Sequence, residues 1–160
     1  MSSTNKSWDD IQNEFADLPG KDGHIERYNA YKPFFLGMGS DVVIEPNCRF
    51  FLPDRIILED DVRINVQGLI YGSGGLRIGR HARIGPRIFI HTANHDVNPD
   101  DPRAFFQRGY VYKAVDIGHN VLISADVKIM PGTKLGDNSF VAAGAILTGE
   151  KFPEKSYLFG

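Results

Sequence analysis

Branched aliphatic residues recur every six positions along most of this chain. Ile117, Ile123, Ile129, Leu135, Val141 and Leu147 follow one another without a gap, as do Ile78, Ile84 and Ile90. Leu58, Ile64 and Ile70 come earlier, offset by two residues at Ser73-Gly74-Gly75. A second column stands four residues after each aliphatic and is mostly small or β-branched: Val62, Gly68, Gly74, Ala82, Ile88, Asn94, Val121, Val127, Thr133, Ser139 and Ala145. A period of six is neither that of a helix nor that of a long alternating strand. It predicts a short strand, a corner and another short strand. The aliphatic points inward, its neighbours point outward, and the small residue fills the inside of the corner. Three such units close a three-sided coil of eighteen residues. Stacked coils pair their strands in parallel and bury one continuous aliphatic column. Four full coils run from Leu58 to Leu147, and a poorer turn precedes them with Ile44, Cys48 and Phe50 in the corresponding places.

The rhythm fails once. Between Ile90 and Ile117 lie 26 residues where a continuing repeat has five. The extra segment is rich in Asp, Asn, Pro and aromatics, including Phe105-Phe106 and Tyr110-Val111-Tyr112. A long excursion from a compact repeat is commonly functional, and its aromatics need something to pack against. Ahead of the coils, Ser7 to Gly20 reads as one short helix. Ser7 and Asp10 make a capping-box-like start, Trp8, Ile11, Phe15 and Leu18 make one face, and Pro19-Gly20 makes the stop. Such a helix suits a cap over unpaired strand edges. The expected organisation is an N-terminal cap segment over 1–40, a parallel β-helix over 41–150 with an excursion at 96–116, and a C-terminal tail over 151–160.

Composition narrows the classes. Forty-two per cent hydrophobic and 24% charged residues suit a soluble globular protein of 160 residues. A net charge of −2 offers no broad positive field for nucleic acid or an anionic membrane. The lone cysteine, Cys48, excludes an internal disulfide, a Cys-rich zinc site and a CxxC pair. No apolar run is long enough for a membrane span. The polar stretch Met1–Asp10 has no signal-peptide core, so a cytoplasmic protein is expected. There is no nucleophilic triad and no phosphate loop.

The Ile-Gly-x-x-Ala/Val hexads, the corner excursion and the segment His91-Thr92-Ala93-Asn94-His95-Asp96 together resemble the bacterial hexapeptide acyltransferases. The resemblance covers about residues 58–150 and looks most like galactoside and maltose acetyltransferases and the O-acetyltransferases of capsule and lipopolysaccharide synthesis. It implies an all-β, left-handed parallel β-helix, a homotrimer with active sites between subunits, and acetyl transfer from acetyl-CoA to a sugar or polysaccharide-precursor hydroxyl, with no metal. His95 matches the general base. A hydroxyl is a poor nucleophile until a neutral imidazole takes its proton. Asn65 matches an acceptor contact. His91, Arg103 and Tyr110 are placed to line the acceptor side. Leu122, Ala125, Ala143, Thr148 and Lys151 match or neighbour the positions that flank the coenzyme.

Three departures stand out. Leu122 replaces a tryptophan beside the coenzyme channel, Ser73 stands where relatives have an acidic acceptor contact, and Gly149 replaces a lysine, with Lys151 two places on. His81 and His119, at the third positions of their hexads, read as solvent-facing, and His24 carries no signal. Three alternatives share the fold: N-acetylation of an amino-sugar, a zinc-dependent carbonic-anhydrase-like enzyme, and a non-catalytic assembly module. The zinc reading needs three converging histidines, and the spacing of His81, His91, His95 and His119 does not match the usual pattern.

Overall fold

The computed structural model describes residues 6–160, so the first five residues of the polar N-terminal stretch lie outside it. Six coils stack into a three-sided parallel solenoid. The first holds β1 (Gly37–Met38), β2 (Val43–Ile44) and β3 (Arg49–Phe51). The second holds β4 (Ile56–Leu58), β5 (Arg63–Ile64) and β6 (Leu69–Tyr71), and the third β7 (Leu76–Ile78), β8 (Arg83–Ile84) and β9 (Phe89–Ile90). The excursion then contributes β10 (Ala93–His95) and β11 (Tyr110–Tyr112). The fourth coil is β12 (Val115–Ile117), β13 (Leu122–Ile123) and β14 (Lys128–Ile129); the fifth is β15 (Lys134–Leu135), β16 (Phe140–Val141) and β17 (Ile146–Leu147). A partial sixth adds β18 (Lys151–Phe152) and β19 (Tyr157–Leu158), so residues 151–160 extend the solenoid. The first strand of every coil forms face 1, the second face 2 and the third face 3.

The twelve hexad aliphatics line the interior, none more than 5% exposed. The second column is buried too, at Val62, Ala82, Ile88, Val121, Val127, Thr133, Ser139 and Ala145. Its exceptions, Gly74 and Asn94, both fall at the corner from face 3 to face 1. There the two-residue offset puts Leu76 and Val115 in register as the inward residues instead. At the corner from face 1 to face 2, Asp41, Asp61, His81, Asn120, Asn138 and Lys155 all have φ between 52° and 61°. Left-handed backbone favours Asn, Asp and His among residues with side chains. That geometry accounts for His81: it is a corner residue, exposed, with its Nδ1 3.0 Å from Asp61 Oδ2.

The N-terminal cap differs from the single helix expected over Ser7–Gly20. Helix α1 (Trp8–Phe15) has the expected capping box, with Asp10 N–H donating to Ser7 Oγ and Ser7 N–H to Asp10 Oδ2. It ends before Leu18. Pro19-Gly20 then begins a second helix, α2 (Gly20–Tyr31). Its buried positions are Gly23, Arg27 and Tyr31, spaced by four. A Cβ on Gly23 would lie 2.4 Å from the Leu18 carbonyl oxygen, so only glycine lets α2 pack against that turn.

The two helices satisfy polar groups that the first coil leaves open, because no strand lies beneath it. Gln12 Oε1 accepts from Phe50 N–H at 2.6 Å, and Trp8 Nε1–H donates to the Phe50 carbonyl at 2.9 Å. Tyr28 Oη donates to the Gly39 carbonyl at 2.9 Å. Arg27, 1% exposed, donates from Nε to the Ile44 carbonyl and from one terminal nitrogen to the Phe15 and Leu18 carbonyls. One side chain thus joins both helices to the coil. Burial pushes the Arg27 guanidinium below its usual pKa, and its second terminal nitrogen has no partner among the described residues. Arg27→Ala is expected to cost about 3–5 kcal/mol, from a cavity and three carbonyls left unpaired. A denaturant titration reads this as a lower midpoint with the slope unchanged.

Candidate functional site

The excursion is a two-stranded antiparallel hairpin thrown out from the corner between faces 3 and 1. Its root is held by Thr92, whose buried hydroxyl donates to the Tyr71 carbonyl and accepts from Gly74 N–H at 2.7 Å. A side chain on Gly74 would collide with the Thr92 carbonyl, so the root needs glycine there. Farther out, Arg108 gathers the loop. Its guanidinium donates to the carbonyls of Asn98, Asp101 and Arg103 and stacks over the Phe105 ring at 4.4 Å. Neither Arg108 nor Thr92 stands out in the sequence. A basic residue in a polar loop and a threonine between two histidines carry no periodic signal.

This framework presents His95. In the hairpin register His95 faces Tyr110, and their ring centroids are 4.4 Å apart. His95 is exposed and borders a shallow dish of about 390 Å³ lined by Val97, Phe105 and Phe106. No carboxylate bonds to its ring among the described residues. His91 is placed elsewhere. Its Nδ1 meets the Ala93 backbone, and its ring stacks on Phe89 and tilts against Tyr71, which itself stacks on Phe51 at 4.4 Å. His91 therefore belongs to an aromatic ladder on face 3 and does not orient His95. Arg103 is held within the loop, its guanidinium reaching both oxygens of Asp101, with one contact at 2.6 Å. That pairing holds the Asp101 carboxyl at about 2, and the same arginine is engaged rather than free for an acceptor.

A second candidate surface lies on face 2. Asn65, Gly85, Leu122, Ser124 and Ala125 line a groove of about 320 Å³. Asn65 is exposed, with Oδ1 accepting from Val66 N–H at 2.8 Å. Leu122 is 49% exposed, and Ala143 is exposed at the equivalent corner one coil on from Ala125. A Cβ on Gly85 would lie 2.5 Å from the Ser124 carbonyl carbon, so the floor between these coils is bare backbone. Thr148 and Lys151 do not join this set. Thr148 follows face 3, with Oγ1 and N–H both donating to Glu150, and Lys151 lies on face 1. Within one chain His95 and Asn65 also stand apart, one on the corner between faces 3 and 1 and the other on face 2, the side opposite that corner.

His119 corrects the expectation of a solvent-facing ring. It is half-buried against Arg77 and Glu59, with Nδ1 3.3 Å from Glu59 Oε2 and Nε2 3.3 Å from an Arg77 terminal nitrogen. Arg77 in turn bridges Glu59 and Asp116 at 2.8 Å each. The ring completes an ionic cluster on the outside of face 1. Ser73 offers no carboxylate at its position; its carbonyl accepts from Arg55 at 2.6 Å. Among the described residues, no three His, Cys, Asp or Glu side chains converge as a metal site, and no helix is long and apolar enough to cross a membrane.

The fold is a parallel β-solenoid, and within it residues 114–149 match the model described as "Bacterial transferase hexapeptide (six repeats)". The chain is 38% identical over 84 residues to a galactoside O-acetyltransferase of Lactococcus lactis, an alignment covering 52% of this chain and 38% of that protein. A hexapeptide-repeat acetyltransferase of Vibrio cholerae, solved with acetyl coenzyme A, superposes with a TM-score of 0.83 at 24% identity, covering 94% of this chain and 78% of the other. A galactoside acetyltransferase solved with coenzyme A gives a TM-score of 0.73 at 25% identity, covering 89% and 72%. The chain spans about half the length of the curated relatives it matches.

Proposed function

We propose that the protein transfers an acetyl group from acetyl-CoA to a hydroxyl of a sugar or polysaccharide precursor. The working unit is a homotrimer in which the hairpin of one copy meets the face 2 groove of the next. One observation carries this reading: a single chain holds two half-sites on opposite sides of its prism, and neither suffices alone. The hairpin offers a base with no acceptor pocket beyond an apolar dish, and the groove offers Asn65 and bare backbone with no base.

In the assembled site His95 takes the proton of the acceptor hydroxyl as its oxygen attacks the thioester carbon. The carbon–oxygen bond forms, the carbon–sulfur bond breaks, and the imidazolium returns the proton to the departing thiolate. Tyr110 packs against the ring and holds its orientation. Asn65 contacts the acceptor. Leu122, Ala125 and Ala143 form a small-residue track for the pantetheine arm, with Leu122 supplying apolar surface where relatives have tryptophan. Thr148 and Lys151, which lie after face 3 and on face 1, take no part in that track.

Hydroxyl acetylation is favoured over amine acetylation by a relative named as an O-acetyltransferase. The test is release of free coenzyme A thiol from acetyl-CoA across a panel of sugars and nucleotide-sugars. Sugar-dependent release is the expected result. Release from no member of the panel, by protein shown to be folded, contradicts the proposal.

A further inference from the structure

Two arginines lie side by side on face 2. Arg63 and Arg83 are directly paired in the parallel ladder between β5 and β8, in the outward row that continues to Leu122. Like charges opposite one another on neighbouring strands are destabilising unless something offsets them. Asp61 stands between both, so two guanidiniums share one carboxylate. Its Oδ2 takes Arg83 at 2.7 Å and also meets His81 at 3.0 Å. Arg83 donates again to the Asp61 and Ala82 carbonyls, so both of its terminal nitrogens have partners. The Arg63 side chain has no hydrogen bond among the described residues, while its backbone N–H donates to the Ala82 carbonyl. Its nearest carboxylate oxygen is that same Asp61, 3.6 Å away, and the side chain is 57% exposed.

Arg63 also occupies a junction. It lines the groove that holds Asn65, and it lines a second cleft of about 450 Å³ between α2 and the first coil. Lys21 and His24 reach into that cleft from α2, and Asp41 stands on it from the first coil. Glu45, which lines the same groove as Asn65, is taken by His24 Nε2 at 2.9 Å. Two arginines sharing one carboxylate leave positive charge beside the candidate acceptor groove, and Arg63 is the more exposed of the two, 57% against 38%. It lies in the second coil. The residues matched to the coenzyme begin at Leu122 in the fourth coil and run away from it.

We infer that the acceptor carries an anionic group, a carboxylate or a phosphate, and that Arg63 binds it at the junction of these two depressions. The inference rests on the acyl-transfer reading for the word acceptor; the anion site itself does not depend on turnover. A charge-assisted, two-pronged contact to guanidinium suits either anion.

The experiment compares methyl glucoside with methyl glucuronoside, equal in ring stereochemistry and different in one carboxylate. Calorimetric titration at low salt is expected to give about tenfold tighter binding of the uronoside, weakening as salt is added. Arg63→Gln should abolish that preference and leave the KM for acetyl-CoA unchanged. It should leave the melting temperature nearly unchanged, because relief of a like-charge pair offsets the loss of an exposed ion pair with Asp61. A lower melting temperature with the preference intact would make Arg63 structural and overturn the inference. Equal binding of the two glycosides, or binding of neither, also overturns it. A raised acetyl-CoA KM in Arg63→Gln assigns the anion to the coenzyme's phosphates and overturns it as well. Uronoside binding without acetyl transfer to any sugar leaves the anion site standing and removes the acyl-transfer reading.

Discussion

His95→Ala is expected to lower kcat/KM for acetyl transfer by about 10²- to 10⁴-fold, the usual contribution of a positioned general base. The loss should fall on kcat more than on either KM, because the imidazole acts on a proton in flight and contributes little ground-state binding. The fold should survive. His95 is exposed near the base of a hairpin whose root is secured by Thr92 and whose far end is secured by Arg108, and its own ring touches only Tyr110 among the aromatic neighbours. Circular dichroism and the thermal midpoint are therefore expected to match the unaltered protein. Turnover unchanged in the variant removes His95 from the mechanism. Lost turnover accompanied by a lower melting point assigns it to hairpin structure instead.

Much of the solenoid is legible in the sequence because its constraint is local and repeated. Every coil must place a branched aliphatic at the same distance from the axis, so the period of six appears in the residues themselves. Where the constraint ceases to be apolar, the pattern fades. Helix α2 hides because its buried face is Gly23, Arg27 and Tyr31. Glycine is there for close approach and arginine for three carbonyls, and neither registers as hydrophobic. Its first residue is also half of a Pro-Gly pair that reads as a stop. The sixth coil hides because Gly149 shortens the step before Phe152 by one residue, breaking the count. The excursion is visible as an insertion, yet its pairing of Ala93–His95 with Tyr110–Tyr112 spans a loop too long for any local turn signal.

The candidate site divides in the same way. His95 is prominent because histidines are few and its motif is distinctive. Arg63 is unremarkable in sequence; only its register against Arg83 reveals two guanidiniums sharing one carboxylate. Arg103 shows the converse. A loop arginine suggests acceptor binding, and the fold commits it to Asp101.

The second large effect concerns the separation of the half-sites. If hairpin and groove complete each other only between copies, two different inactive chains can repair one another. Asn65→Trp fills the groove of its own copy while leaving the hairpin intact; the position is exposed, so the fold loses only the short Asn65–Val66 hydrogen bond. His95→Ala does the reverse. Each variant alone is expected to be nearly inactive. In a closed ring with random mixing of equal amounts, about a quarter of the interfaces pair an intact hairpin with an intact groove.

Co-expression of the two variants, followed by measurement of thiol release per subunit in the purified mixed assembly, therefore tests the shared site directly. Recovery of about a quarter of the unaltered protein's rate, in particles with the mass of three chains, is the predicted result. Mixed particles no more active than either parent, or full activity from the unaltered chain as a solitary subunit, would contradict it.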